Sequence, residues 1–326
     1  MEKFEFPKFA IIIGVGGAGC NVLSYIYKNC NYDSIDFFAL NTDMQALSAL
    51  EIPLSAKLLI GENITHGNGA GADTEKGRLS AMESAVFIKN KLKSNDYSLA
   101  FIVAGMGGGT GTGAAPIIAN ICKSMDIYTI AICSKPFSFE GYLRQKQANE
   151  GINKLKQNVD NIAIFSNDNI INSNSFITIF DAFKTSDEIF YIPIETIFSI
   201  LETPGYINLD FADILTTLRG SKLVSIAYGV GKGEKRITNA FENLKKSPFL
   251  NNIQIEKSKQ LLLNLSFSEE GPLVIEEMNE IQNFMSIFGR NIDVIWGTAM
   301  DSRLNSNEVK FSMIIAGITD EVLLEQ

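Results

Sequence analysis

Long apolar runs are missing from this chain. The most apolar stretches near its N-terminal half, residues 9–13 and 101–104, fall far short of the roughly 20 residues that a membrane-spanning helix needs, which argues against direct membrane insertion. The first eight residues alternate charged and aromatic side chains and lack a signal-peptide core, so the chain is read as made and kept in the cytoplasm. Cysteine is scarce: Cys20, Cys30, Cys122 and Cys133 have no C-x-x-C spacing and are too sparse for a disulfide framework or a zinc site. Basic charge is in deficit, with 28 Lys and Arg against 37 Asp and Glu and no basic cluster, which argues against nucleic acid as a partner. No G-x-x-x-x-G-K-[ST] occurs, because Gly231-Lys232 is followed by Gly233, and a Walker-type nucleotidase is disfavoured with it. Repeats and low-complexity tracts are absent too.

What is present is enough apolar material, 46% of 326 residues, for one large domain or two ordinary ones. From residue 9 to about 166, short apolar runs at 9–13, 37–40, 99–104, 128–133 and 162–165 alternate with helix-length amphipathic segments. That alternation predicts α/β architecture with a parallel sheet flanked by helices. Between residues 176 and 201 no glycine intervenes, and Ile179, Phe180, Phe183, Ile189, Phe190, Ile194, Ile197 and Leu201 recur at three- and four-residue steps. One long helix ending before Pro204-Gly205 is the reading. Strands at 223–228, 260–267, 293–296 and 309–316, with helices at 234–245 and 273–288, then predict a smaller α/β domain. The expected boundaries are 1–177, a central helix at 178–203, 204–318, and a short tail at 319–326.

Residues 9–13 run into Gly14-Val15-Gly16-Gly17-Ala18-Gly19, a literal G-x-G-x-x-G that opens a helix-compatible segment. Such a turn brings backbone N–H groups and a helix N-terminus to an anion. Read alone it also fits a tight turn without ligand or a dinucleotide fold. The second cluster is more telling: Gly105-Met106-Gly107-Gly108-Gly109-Thr110-Gly111-Thr112-Gly113 follows another buried strand and opens another helix. So many glycines cost a strand or helix heavily in backbone entropy, and belong where the backbone approaches a ligand closely. Successive N–H groups, with the hydroxyls of Thr110 and Thr112, make a nest for phosphate oxygens.

The stretch Gly108-Gly109-Thr110-Gly111-Thr112-Gly113 resembles the signature loop of the tubulin/FtsZ superfamily, and residues 105–116 resemble the FtsZ group in particular. Four further motifs recur in that group's order: the first glycine turn, Asn41-Thr42-Asp43 with Gln45-Ala46-Leu47, Gly69-Ala70-Gly71-Ala72, and Pro136-Phe137-Ser138-Phe139-Glu140-Gly141 with Arg144. The resemblance implies a GTP-binding domain at 1–177 and a GTPase-activating domain at 204–318. GTP or GDP is the implied ligand, with Mg²⁺ carried on the phosphates rather than by direct protein ligands. Gly17, Ala18, Gly19, Cys20, Asn21, Gly71, Ala72, Gly109, Thr110 and Gly111 would line the phosphates, Gly16, Asn41, Gly107, Gly108 and Thr112 would belong to the same nucleotide site, and Glu140 and Arg144 would reach the ribose and phosphate side. For the base, Asn167 follows a strand, while Phe183 and Asp187 stand one turn apart on the long helix. Such a pair is also compatible with a core aromatic beside an exposed acid; in this family an aromatic there stacks on guanine and the carboxylate accepts its N1–H and N2–H.

The long helix is followed by Thr203-Pro204-Gly205-Tyr206-Ile207-Asn208-Leu209-Asp210-Phe211-Ala212-Asp213. Asp210 and Asp213 suit a helix start on dipole grounds alone. The segment also resembles the FtsZ loop whose Asn and two Asp residues act on the nucleotide of the next subunit, which implies Asn208, Asp210 and Asp213 as catalytic residues and hydrolysis that requires assembly. The expected function is a head-to-tail polymerising GTPase of the division ring, located at the division site, with itself and division-ring regulators as partners. The alternative is a filament-forming paralogue without a division role; an oxidoreductase rests on residues 14–19 alone. Three departures from the family stand out: Pro193 inside the long helix, His66 where an arginine is usual, read as a solvated loop residue, and a tail at 319–326 without the peptide that docks on membrane adaptors. The turn Gly229-Val230-Gly231-Lys232-Gly233-Glu234 is more basic than usual.

Overall fold

The computed structural model describes residues 8–30, 32–173, 177–251, 253, 255–288 and 291–318. The tail expected at 319–326, residues 1–7 and Phe176 lie outside the described residues. The chain divides into two compact units, Met1–Tyr191 and Ile192–Gln326.

In the first unit six parallel strands form one sheet: β1 (Ala10–Val15), β2 (Ile35–Asn41), β3 (Lys57–Leu59), β4 (Leu99–Gly105), β5 (Tyr128–Lys135) and β6 (Asn161–Ser166), in the order β3-β2-β1-β4-β5-β6. The central strands are apolar because both faces are covered, and every residue of β1 is buried. The chain winds outward from β1 to β3, then returns to place β4 on the other side of β1. The order reverses between β1 and β4, and an open α/β sheet has its crevice at such a switch point, beyond the carboxyl ends of the strands. Both glycine loops leave the sheet there. The five strands read from the sequence are present; β3 is a sixth, unpredicted because it is only Lys-Leu-Leu, half-buried at the sheet's edge.

The long helix spans Ile179–Glu202 and runs as one element through the buried Pro193. The ring removes the N–H that would meet the Ile189 carbonyl, and three residues on the Thr196 hydroxyl donates to the Ile192 carbonyl at 2.7 Å. The division between the two units falls between Tyr191 and Ile192, beside this proline.

The second unit holds a mixed sheet of β7 (Gly205–Ile207), β8 (Ser225–Lys232), β9 (Gln260–Phe267), β10 (Asp293–Met300) and β11 (Glu308–Ala316), ordered β7-β10-β9-β11-β8. Helices Arg236–Lys245 and Ile275–Met285 share an apolar core with the sheet, including Phe241 stacked on Phe284 and packed against Phe311. Both helices are shorter than the pattern suggested. Gly233, at φ +82, turns the chain before the first, and Pro272 and Leu273 precede the second. Strand β10 runs past the predicted end at 296, because its register with β9 continues through Gly297 and Thr298 after the apolar pattern stops. Inside this unit Lys310 and Glu195, both buried, are joined at 2.9 Å, and Arg303 bridges Glu195 and Asp301. Burial holds the Lys310 amine below its usual range. Among the described residues no helix is long and apolar enough to cross a membrane.

Candidate nucleotide site

Two helices begin at the switch point, Gly16–Asn29 after β1 and Gly109–Lys123 after β4. Neither N-cap, Val15 or Gly108, makes a side-chain cap hydrogen bond, and neither first turn carries an acid. The leading N–H groups of a helix have no intrahelical partners, and the dipole adds positive potential at the same place. The two loops are locked together through absent side chains: a Cβ on Gly16 would lie 2.7 Å from the Gly111 nitrogen, and one on Gly111 would lie 2.6 Å from the Gly105 carbonyl oxygen. Gly19 is held equally tightly against the Val103 carbonyl. Gly17, Gly71 and Gly108 differ. A Cβ on any of them meets nothing within 4 Å; Gly71 is glycine on backbone grounds, at φ +60, whereas Gly17 and Gly108 have neither a positive φ nor a protein neighbour and leave room for a ligand.

The predicted phosphate residues therefore fall into two groups. Gly17, Ala18, Asn21, Gly71 and Ala72 are exposed, and Gly108 is partly so. Ala72 holds φ +64 beside Gly71 at +60, a left-handed pair that costs the alanine roughly 1–2 kcal/mol. Asp73 follows and caps the next helix through the N–H groups of Glu75 and Lys76. Gly16, Gly19, Gly107, Gly109 and Gly111 are buried and set the loop shape. The threonine hydroxyls brace the loop from inside, which the sequence reading did not foresee. Thr110 Oγ1 lies 2.7 Å from Thr42 Oγ1, and Thr112 Oγ1 accepts the Gly107 N–H at 2.8 Å. The Cys20 thiol is turned inward to the Gly14 and Leu40 carbonyls, with burial pushing its pKa up to about 12.

Asn41 ends β2 beside this floor. Its Oδ1 accepts the Thr42 N–H at 2.9 Å, which orients the amide, and its buried Nδ2 has no hydrogen-bond partner among the described residues. A buried orphan donor costs about 1–3 kcal/mol unless a ligand supplies the acceptor.

The residues predicted for the ribose and base lie on the Ser138–Glu140 turn, the helix after it, the end of β6 and the long helix. Glu140 accepts the Phe137 N–H at 2.9 Å through Oε1 and pairs with Arg144 through Oε2. Asp168 holds Ser138 by its backbone N–H at 2.9 Å and by its hydroxyl. Phe137 is buried, stacks on Phe139 and meets Phe183 edge-on at 5.1 Å, leaving Phe183 44% exposed and available for stacking. Asn167 is buried, and its Oδ1 accepts the Ser186 hydroxyl at 2.9 Å. Asp187 is one residue further along the helix. Desolvation, with repulsion from Glu188 second, pushes its pKa up to about 7. All of the predicted nucleotide residues lie in the first unit. Thr42, Phe137, Asp168 and Ser186 contact these elements and were not predicted as site residues, although Thr42 and Phe137 stand inside motifs singled out above.

The three predicted catalytic residues lie in the second unit. Asn208 and Asp210 are exposed. Asp210 accepts the Asp213 N–H at 3.0 Å and Asp213 accepts the Asp210 N–H at 2.9 Å, a capping box that starts the helix Phe211–Leu218. His66 is exposed at φ +52, in keeping with the loop role read for it.

A switch-point crevice with two uncapped helix N-termini, open glycines and an orphan amide donor defines a nucleotide-phosphate-binding α/β protein. Comparison with known proteins makes this specific. The family model described as Tubulin/FtsZ family, GTPase domain, matches residues 10–175, and that of the FtsZ family, C-terminal domain, matches residues 223–319. The cell division protein FtsZ of Aquifex aeolicus is 41% identical over 282 residues, covering 86% of this chain and 76% of the relative. The protein of the same name from Buchnera aphidicola subsp. Baizongia pistaciae is 36% identical, covering 97% and 81%. Among solved structures, an empty FtsZ dimer of M. jannaschii superposes with a TM-score of 0.83 at 31% identity, covering 96% of this chain and 89% of the other. CetZ1 of Haloferax volcanii, at 23% identity and a TM-score of 0.80, shares the fold. The chain belongs to the tubulin/FtsZ family: it is a GTPase of the filament-forming kind, and the oxidoreductase reading falls away.

Proposed function

We propose that this chain is the division-ring filament subunit of its cell, and that each GTP is held by one subunit and hydrolysed with the help of the next. The observation that carries the nucleotide half is the set of three open glycines, Gly17, Gly71 and Gly108, around the two helix N-termini and the orphan Asn41 Nδ2. Backbone N–H groups of the two loops bind the phosphates. Glu140 and Arg144, already paired, sit at the ribose side. Phe183 stacks on the base, and Asp187, ionised when guanine is bound, accepts N1–H and N2–H; adenine presents an acceptor there and is rejected. Mg²⁺, carried on the phosphates rather than by direct protein ligands, would supply charge neutralisation there.

Hydrolysis needs an attacking water oriented opposite the leaving phosphate. Asn208, Asp210 and Asp213 belong to the second unit and suit that task by accepting hydrogen bonds from water. Each of the two acids engages one oxygen in the capping box, so the box that starts the helix also fixes the carboxylates. Such residues acting across a head-to-tail contact make turnover depend on assembly. The relatives named cell division proteins support the division role; a place at the division site in the cytoplasm and division-ring regulators as partners are what that role would entail.

Sedimentation with GTP, GDP and ATP, with phosphate release measured in the same samples, tests this reading. GTP-dependent pelleting accompanied by phosphate release is expected. A protein that stays in the supernatant with GTP and releases no phosphate contradicts it.

A further inference from the structure

Asn167, just beyond β6, has three of its four polar groups engaged by the protein. Its backbone N–H donates to the Lys135 carbonyl at the end of β5 at 3.1 Å, and its backbone carbonyl accepts the Ile170 N–H at 3.0 Å. Its side-chain Oδ1 accepts the Ser186 hydroxyl at 2.9 Å, and each of the two residues is only 5% exposed. The fourth group, Nδ2, has no hydrogen bond to another described residue, and it is not sealed from solvent as the Asn41 Nδ2 is.

A serine inside a helix commonly returns its hydroxyl to the carbonyl one turn back. Ser186 instead sends its single hydroxyl proton across to a residue 19 positions earlier in the chain. It stands three residues beyond Phe183 and one before Asp187, so it shares their face of the long helix. A donor on the amide oxygen decides which end of the asparagine is left over. With Oδ1 taken by Ser186, the group that Asn167 has to offer a ligand is the NH2 donor.

We propose that Ser186 is a positioning residue for base recognition: by holding the Asn167 carbonyl oxygen it presents the Asn167 NH2 group, and not an acceptor, to the guanine. The inference rests on the base reading given under the proposed function. There Asp187 accepts N1–H and N2–H, and the acceptors that flank those two donors on guanine are O6 and N3. One of the two receives the Nδ2–H. A reversed amide would set its oxygen against the same acceptor, leaving both unpaired. Ser186 itself touches no ligand and acts through Asn167.

The experiment titrates the full chain and its Ser186→Ala variant with GTP, with 6-thio-GTP, whose sulfur is a weak acceptor in place of O6, and with 3-deaza-GTP, which has a C–H in place of N3. Ser186→Ala is expected to bind GTP about fivefold or more weakly than the parent. Against whichever analogue lacks the acceptor that Asn167 uses, the same substitution is expected to cost less than about twofold, and that analogue identifies the acceptor. Ser186→Val and Ser186→Thr, similar in volume and differing in the hydroxyl, give the same comparison should the alanine variant fail to fold. A purely structural role for Ser186 would weaken GTP and both analogues by the same factor, and that result overturns the proposal, as does an unchanged GTP affinity in Ser186→Ala. A parent chain that binds GTP no better than ATP overturns the base reading itself, so the two failures are told apart.

Discussion

The hydroxyl oxygens of Thr42 and Thr110 lie 2.7 Å apart in a buried contact that ties the end of β2 to the helix after β4, across β1. This bond holds the second glycine loop against the Asn41 turn. Replacing Thr110 by valine strands the Thr42 hydroxyl, and a buried hydroxyl without a partner costs about 1–3 kcal/mol. Urea unfolding should show that loss for Thr110→Val and a smaller one for the Thr42→Val, Thr110→Val double variant, where no hydroxyl is left unpaired. Equal losses in the two proteins would mean that the contact does not carry the loop.

The glycines make opposite predictions according to what their missing side chain faces. A Cβ on Gly108 meets open space, and one on Gly111 meets the Gly105 carbonyl oxygen at 2.6 Å. Gly108→Ala should unfold within about 0.5 kcal/mol of the parent yet bind GTP at least tenfold more weakly, because the methyl group occupies phosphate space. Gly111→Ala should lose about 1–3 kcal/mol of stability to overpacking. Calorimetric melting and GTP titration on the same samples separate the two; tight GTP binding by Gly108→Ala would refute the phosphate assignment.

Asp187 makes nucleotide binding and folding respond to pH in opposite senses. Its pKa rises from 3.8 to about 7 in the folded chain without nucleotide. Between these values the folded chain holds a proton that the unfolded chain has released, so the contribution of Asp187 to stability is full below about pH 4 and is lost as pH rises through about 7. In the proposed function guanine is held by the ionised carboxylate. GTP affinity should therefore climb as pH rises towards 7, by up to tenfold per unit, with proton release on binding, and Asp187→Asn should flatten that dependence. Calorimetric titrations in buffers of different ionisation enthalpy check it, and an unchanged pH profile in Asp187→Asn would count against the assignment.

Asp213 closes the capping box, the proposed function gives it a second task in hydrolysis, and one substitution separates the two. Asparagine keeps an oxygen that can accept the Asp210 N–H but removes the charge. Asp213→Asn should keep the helix Phe211–Leu218 within about 1 kcal/mol of its stability and retain GTP binding, while phosphate release falls at least tenfold. If turnover survives, Asp213 serves the capping box alone.

Much of this was legible in the sequence, and the rest fails for identifiable reasons. The five apolar strands of the first sheet and the two glycine loops are local patterns, and each is where the pattern put it. Strands β3 and β7 are three residues long, with too little period to read, and exist because a longer neighbour offers an edge. The roles inside the glycine loops depend on what lies across the switch point. No sequence rule separates Gly108, which faces space, from Gly111, which faces backbone. The bracing of Thr110 by Thr42 and the inward turn of the Cys20 thiol are likewise contacts between segments distant in the chain. The raised pKa of Asp187 comes from burial, which a helical wheel does not report.

The central claim is that GTP is hydrolysed at a site shared by two subunits, and phosphate release per subunit measured across a range of protein concentrations at saturating GTP tests it most directly. The account predicts turnover that is near zero at low concentration and rises steeply once subunits associate. Turnover per subunit that is constant at every concentration, with full activity in the dilute monomer, would contradict it.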